Sequence, residues 1–287
     1  MNTKAADLRG KTALITGASN GLGRAAAFAL AEYGAELVLI CRNRDLARET
    51  VSAIVRATGN AQVSFLIADL SSQAEIRRVA AEFLATGKPL HILLNNAGAL
   101  FPQRTLSADG LEMTFALNHL GYFLLTQLLL DRIRESAPAR IVNVASRAHE
   151  GARGIHFDDL QSERAYAAFG AYSQSKLANI LFTRELARRL EGSGVTANAL
   201  HPGFVATRFA RANPLYSFAM TLMRPFQRSI DQGSRTLIYL CAAPEVEGAS
   251  GGYYADCSLR NPTRYALDDI QARRLWDVSC DLTGIAV

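Results

Sequence analysis

"TALIT" at 12–16 runs directly into "TGASNGLG" at 16–23, and the reading of this junction decides the fold. The first stretch is apolar and β-branched, as a buried strand requires. Glycines follow at 17, 21 and 23, and a segment of helical period, Leu22–Tyr33, begins before the loop has ended. A strand that passes through a glycine-rich turn straight into a helix brings the positive helix N-terminus to the carboxyl edge of a sheet, where backbone N–H groups can surround an anion. In that geometry Gly17 permits the tight turn, Gly21 lets the backbone approach a pyrophosphate, and Gly23 allows close helix–sheet contact. The spacing is not G-x-G-x-x-G, so a glycine-rich turn without a ligand stands as the alternative until other segments agree.

The rest of the chain repeats the strand-then-helix order. Short β-rich runs, "ELVLI" (36–40), "VSFLIA" (63–68), "HILLN" (91–95), "RIVNVA" (140–145), "TANAL" (196–200) and "GYYA" (252–255), alternate with helical segments. Those segments are Asp45–Thr58, Gln73–Ala85, a long one from about 109 to 134, and Tyr172–Leu190. Such alternation implies parallel strands joined by right-handed crossovers, with helices on both faces of the sheet. The expected fold is a single-domain α/β, Rossmann-type doubly wound parallel sheet of about seven strands covering residues 1–287. Its ligand belongs beyond the carboxyl ends of the strands, where the strand order reverses.

With 287 residues, 49% of them hydrophobic, and no low-complexity tract or linker, one large core is the expectation. Cysteines at 41, 241, 257 and 280 have neither zinc-site spacing nor the density of a disulfide scaffold, so they read as free thiols of a cytoplasmic protein, with no metal site. The start, "MNTKAADLRGK", lacks the apolar core of a signal peptide, and the greasiest run, "YFLLTQLLL", is short and interrupted by Thr126 and Gln127. No membrane span is expected. The net charge of +5 includes the doublets Arg77-Arg78, Arg188-Arg189 and Arg273-Arg274, which read as solvated helix faces. No aromatic-laced basic stripe points to nucleic acid. Homo-oligomerisation is left open by the composition.

The second strand closes in "ICRNR", at the place where an NAD-selective site carries an acid for the ribose 2′-hydroxyl. Cys41 and Arg42 stand there instead. A guanidinium pairs with a 2′-phosphate, so NADP(H) is expected over NAD(H). The alternative for Arg42 is a surface arginine beside the next helix, and Arg44 is near enough to share its role. Asp69-Leu70 closes the third strand and "NNAG" (95–98) the fourth. Asp69 is placed to accept from an adenine amino group, while Ala97-Gly98 leaves room for ring and ribose; ordinary turn chemistry is the competing account. The cofactor set from this half is Gly17, Ser19, Asn20, Gly21, Leu22, Gly23, Arg42, Asp69, Leu70, Asn95, Ala97 and Gly98.

Four polar residues remain: Asn118 in "LNHLGYF", Ser146 in "VNVASRAH", and Tyr172 and Lys176 in "AYSQSK". A one-turn spacing puts Tyr172 and Lys176 on one helix face. Hydride transfer to a carbonyl needs a proton donor, and a free phenol with pKa about 10 must be made more acidic to serve near neutral pH. A neighbouring ammonium does this. Together these motifs, T-G-x3-G-x-G, N-N-A-G, Asn before x-x-G, a post-strand Ser and Y-x3-K, resemble the short-chain dehydrogenase/reductase family over about residues 9–258. The resemblance implies that Tyr172 is the proton donor and acceptor, and that Lys176 tunes it and reaches the nicotinamide ribose. It further implies that Ser146 hydrogen-bonds the reacting oxygen and that Asn118 holds a water linking Lys176 to solvent. The bland alternatives are a helix kink or core hydrogen bond for Asn118 and a strand-end turn for Ser146. "HPGFVATRF" (201–209) resembles the family's P-G segment, which adds Pro202, Gly203, Val205 and Thr207 to the cofactor set. His119, His149 and His201 lack an orienting carboxylate in sequence and read as structural.

"ICRN", "GLEMTFALNHLGYFLLT", the 26-residue step from Ser146 to Tyr172 and the tail "ARRLWDVSC" look most like the retinol-dehydrogenase-type branch. That branch implies a small apolar alcohol or carbonyl substrate. Many of its members begin with a membrane anchor, which the polar start of this chain does not resemble. Leu215, Phe218, Ala219, Leu222 and Met223 have helical spacing and suggest an apolar lid over about 205–230. The same stripe would also suit packing on the domain, or contact with a membrane surface aided by Arg208, Arg211, Arg224 and Arg228. A helical extension is expected over about 262–287, with Leu267–Cys280 helical and Trp276 in the core. Two other functions fit less of the sequence: an idle NADP(H)-binding sensor, which needs no Ser146, Tyr172 or Lys176, and a protochlorophyllide-reductase-like enzyme, which shares the long insert.

Overall fold

A computed structural model describes residues 7–204 and 228–286. In chain order the elements are β1 (Thr12–Thr16), α1 (Gly21–Glu32), β2 (Glu36–Cys41), α2 (Arg44–Thr58), β3 (Val63–Ile67) and α3 (Gln73–Ala85). There follow β4 (Ile92–Asn95), α4 (Met113–Glu135), β5 (Ala139–Val144), α5 (Ala168–Arg189) and β6 (Val195–Leu200). The described chain closes with α6 (Ile230–Ala242), β7 (Tyr253–Ala255), β8 (Ser258–Arg260) and α7 (Asp269–Thr283). One sheet runs in the order β3-β2-β1-β4-β5-β6-β7-β8. Each neighbouring pair is parallel except β7 and β8.

The residue types explain the layering. Every residue of β1 is buried, as a strand covered on both faces demands, and its apolar side chains supply both cores. Ala13 and Ile15 face the core made with Ala26, Leu30, Ile54 and Leu237 of α1, α2 and α6. Leu14 faces the other way, into the core made with Val79, Phe123 and Phe182 of α3, α4 and α5. The fold is therefore the expected doubly wound α/β sheet, and the order reverses between β1 and β4.

Among the described residues the strand count is eight, not about seven. Asp256 and Cys257 have φ of 53° and 55°, so Ala255 and Ser258 pair across a two-residue turn with both central residues left-handed. That turn ordinarily announces itself by Asn-Gly or Asp-Gly, and "ADCS" carries no such signal. Helix α6 also escaped the periodicity reading, because Gly233 interrupts it and its start falls beside the expected lid. Its signal was a capping box: Ser229 Oγ accepts from Gln232 N at 3.1 Å while Gln232 Oε1 accepts from Ser229 N at 3.2 Å. The lid expected at about 205–230 lies almost wholly outside the described residues.

By length and composition α4 could cross a membrane, yet 78% of its most apolar window is buried inside the protein. Tyr122, Phe123, Leu124 and Leu125 are each 1% exposed or less, which makes it a core helix here. Helix α7, expected over Leu267–Cys280, packs across α4 and α5. Trp276 stands edge-on to Phe123 with centroids 5.2 Å apart, and the Arg189 guanidinium lies 4.2 Å over its ring. The end of the helix is pinned to α3, where Arg77 Nη2 donates to Thr283 O at 2.5 Å and Gln73 Nε2 to Leu282 O at 2.8 Å. Because Trp276 is only 5% exposed, Trp276→Ala is expected to cost about 3–5 kcal/mol of stability, read from the denaturant midpoint at unchanged slope.

Candidate active site

Beyond the carboxyl ends of β1 and β4, two side chains clip the glycine loop to the sheet. Thr16 Oγ1 accepts from Asn96 N at 2.8 Å and Ala97 N at 3.0 Å, and Asn96 Nδ2 donates to Thr16 O at 2.8 Å. Gly17 sits at φ 65°, and a Cβ there would lie 2.9 Å from Ala97 Cα. At Gly23 it would lie 2.4 Å from Asn96 Nδ2 and 2.6 Å from Gly17 O. Both positions exclude larger residues, so loop and strand end stay in contact. Asn20, the N-cap of α1, makes no side-chain capping bond, and the first turn holds no acid. The N–H groups opened by Gly21, Leu22 and Gly23 therefore face the switch point unneutralised, as a pyrophosphate site requires.

At the end of β2, Arg42 and Arg44 are exposed, and neither makes a hydrogen bond or ion pair with the described residues. Cys41 is buried, and burial pushes its thiol up while Ser19 of the glycine loop hydrogen-bonds it. Asp69 Oδ1 accepts from Ser71 N at 2.9 Å and from Ser71 Oγ at 2.7 Å, holding the turn after β3. Two expected cofactor residues turn their side chains elsewhere. Leu70 is 5% exposed in the core, and Asn95 is fully buried, donating to Thr126 Oγ1 at 3.0 Å and Asn143 Oδ1 at 2.9 Å. Only the backbone of either can meet a ligand, because the alternation of a strand end points one side chain in and the next out. Pro202 and Gly203 follow β6 at the same edge, Gly203 at φ 82°, whereas Val205 and Thr207 lie outside the described residues.

The four residues expected to react lie on α4, on α5 and in the turn after β5. Lys176, on α5, is 3% exposed; its Nζ donates to Val144 O at 3.0 Å and lies 5.5 Å from the centroid of the Tyr172 ring. A second ring, that of Tyr122, lies 5.7 Å away. Gly98 closes the other side, since a Cβ on it would be 3.4 Å from Lys176 Nζ and 3.1 Å from Asn118 Oδ1. Ser146 follows β5 and caps a 3-10 turn, Oγ accepting from Ala148 N at 3.1 Å. Its own hydroxyl proton remains available to a substrate oxygen.

Asn118 binds the loop after β4 through its side chain. Its Oδ1 accepts from Ala99 N at 2.9 Å, and its Nδ2 donates to Ala99 O at 2.9 Å and Ser175 Oγ at 3.0 Å, which leaves one acceptor site on Oδ1. It sits in a π turn, Ala116–Leu120, where Gly121 N reaches back to Ala116 O. Such a bulge opens the helix at a functional site. Ser175 Oγ in turn donates to Tyr172 O at 2.8 Å, so Asn118 ties the loop after β4 to the tyrosine turn. Thr16, Asn96 and Ser175 were not named as site residues from sequence, although Thr16 opens the T-G-x3-G-x-G motif and Asn96 is the second residue of N-N-A-G.

A family model described as short chain dehydrogenase matches residues 11–215. The chain belongs to the short-chain dehydrogenase/reductase family. This dehydrogenase is 45% identical to mouse retinol dehydrogenase 11 over 285 residues, 99% of this chain and 90% of that one. Among solved structures it superposes on an uncharacterised protein from Mycobacterium paratuberculosis with a TM-score of 0.78 at 32% identity, covering 98% and 96% of the two chains. The NADP complex of Pseudomonas aeruginosa RhlG gives 0.70 at 29% identity, with 86% and 94% covered. The dehydrogenase is thus of retinol-dehydrogenase type, in a fold that binds a nicotinamide cofactor.

Burial alone pushes Lys176 of this dehydrogenase down to about 7. In the unfolded chain an exposed lysine titrates near 10.5. The folded protein therefore releases its proton first, and stability rises with pH between about 7 and 10.5. Below that window the full cost of burying the ammonium is present. Lys176→Met is expected to be more stable than the native protein at pH 6.5, with the difference shrinking by pH 10; urea melts at both pH values measure it.

Proposed function

We propose that this protein is an NADP(H)-dependent oxidoreductase that interconverts a hydrophobic alcohol and its aldehyde or ketone. The observation that carries this reading is the buried Lys176 amino group over the Tyr172 ring, beside the glycine cradle at the switch point. The cradle fits a dinucleotide: two positions admit no Cβ, and the α1 N-terminus offers unpaired N–H groups. When bound, the nicotinamide gives or takes the hydride.

The chain's own residues do the rest. Tyr172 carries the proton to or from the reacting oxygen, and Ser146 donates a hydrogen bond to that oxygen as its charge grows. Lys176, when charged, favours the phenolate, and Val144 O holds its ammonium in place. Asn118 and Ser175 fix the backbone of the tyrosine turn, so the phenol approaches in one orientation.

Selection of NADP(H) is assigned to Arg42, with Arg44 beside it, because both guanidiniums stand free at the end of β2. A hydrophobic substrate is supported by the retinol dehydrogenase relative and by two aromatic side chains left in solvent near the reacting residues. Phe169 is 53% exposed one turn before Tyr172, and Phe204 is 41% exposed after Gly203. Single exposed aromatics are ordinary; a pair flanking a reacting centre suits an apolar ligand.

Two measurements test the reading. Tyr172→Phe is expected to lower NADPH-dependent reduction of retinal and medium-chain aldehydes by about a thousandfold or more, general acid loss alone giving about 10²–10⁴, with NADPH affinity kept. Arg42→Asp is expected to weaken NADPH binding at least about tenfold more than NADH binding in parallel titrations, since a charge-assisted pair becomes a repulsion; equal losses refute the assignment.

A further inference from the structure

His149 lies outside the reacting group yet touches its serine. It is 1% exposed in the turn after Ser146, and burial holds it below the usual imidazole range. Nδ1 is 2.8 Å from Ser146 O, with the longer contact of the Tyr253 hydroxyl at 3.5 Å, and Nε2 is 3.4 Å from Thr263 N. A carbonyl only accepts and a backbone N–H only donates, so Nδ1 must carry the proton and Nε2 must be bare. Two independent partners therefore select one neutral tautomer. The Ser146 carbonyl also accepts from His149 N at 3.1 Å, and Ser146 Oγ is held by Ala148 N. Both ends of the serine are restrained by the same turn.

The restraint continues across the sheet. The Tyr253 ring of β7 stands edge-on to His149 with centroids 5.1 Å apart, and its other neighbour is His201 at 5.7 Å. His201 Nδ1 accepts from Gly203 N at 3.0 Å. A column of three rings thus connects the loop after β5, which bears Ser146, to the loop after β6, which bears Pro202 and Gly203.

We propose that His149 is a positioning residue, whose Nδ1–H holds the Ser146 carbonyl and thereby aims the serine hydroxyl, with Tyr253 and His201 tying that orientation to the Pro202–Gly203 loop. This role rests on the dehydrogenase reading above. It explains why a histidine is used at a buried position that makes no ion pair: both ring nitrogens are needed, one as donor and one as acceptor. Tyr253 keeps the ring from rotating about its own axis, because a flipped imidazole would set Nε2 and a carbon against the wrong partners.

The test separates donor geometry from bulk. An asparagine amide falls near the place of Nδ1 and a glutamine amide near that of Nε2, so His149→Asn can still reach Ser146 O and His149→Gln cannot. With NADPH and an aliphatic aldehyde, His149→Gln is expected to lower kcat about 10–100-fold with KM for NADPH unchanged, as small misplacements at a reacting centre do. His149→Asn is expected to restore most of kcat although both variants lower the melting temperature alike. Equal kcat for native protein and His149→Gln, or losses that follow melting temperature alone, overturn the proposal. Ring-15N NMR of the native protein gives a second reading that needs no turnover. A protonated Nδ1 on His149 supports the proposal, and a protonated Nε2 overturns it. Native protein without any Tyr172-dependent turnover refutes the dehydrogenase reading itself, and the positioning role falls with it.

Discussion

Putting an amino group under a sheet edge is the constraint around which the rest is arranged. Lys176 has one carbonyl, Val144 O, within hydrogen-bond reach, and two aromatic faces near it, while its stem is enclosed by α5 and the end of β5. Desolvation opposes the charge there, and no carboxylate offsets it. A lysine held in this way differs from one in a surface ion pair: its ammonium is desolvated against a single carbonyl acceptor, at a cost to stability. Stability is traded for a group whose charge answers to what is bound.

The neighbouring backbone is made rigid to match. Asn118 and Ser175 form a short chain of hydrogen bonds from Ala99 to the carbonyl of Tyr172, which joins the loop after β4, the π turn of α4 and the start of α5. Thr16 and Asn96 do the same for the glycine loop and β4. Apart from the Asn118–Ser175 bond, each clip sets a neutral side chain against backbone groups, which fixes position without adding charge to the pocket.

Much of this was legible in the sequence because it is periodic or punctuated. The strand at 12–16 and the helix at 73–85 have the bounds that their patterns suggested. What was not legible depends on partners distant in sequence. β8 needed a left-handed Asp256-Cys257 turn whose residue types do not announce it. Asn95 reads like any asparagine at a strand end, and only the third dimension shows Thr126 and Asn143 waiting for its amide inside the core. Asn118 was recognised by its motif, but that its amide ties Ala99 to Ser175 follows from a helix bulge no periodicity reveals. His149, taken as structural from sequence, owes its interest to Thr263, which lies 114 positions away.

Helix α7 carries a consequence for biosynthesis. It lies across the outer faces of α4 and α5, with Trp276 between Phe123 and Phe182 and Ser279 against the buried His119. Those faces are apolar, and among the described residues their cover comes from a segment made well after them. A nascent chain emerging from the ribosome must therefore hold its reacting helix with one side bare until residue 269 and beyond have cleared the exit tunnel. The interval between those events is when this polypeptide has greatest need of a chaperone.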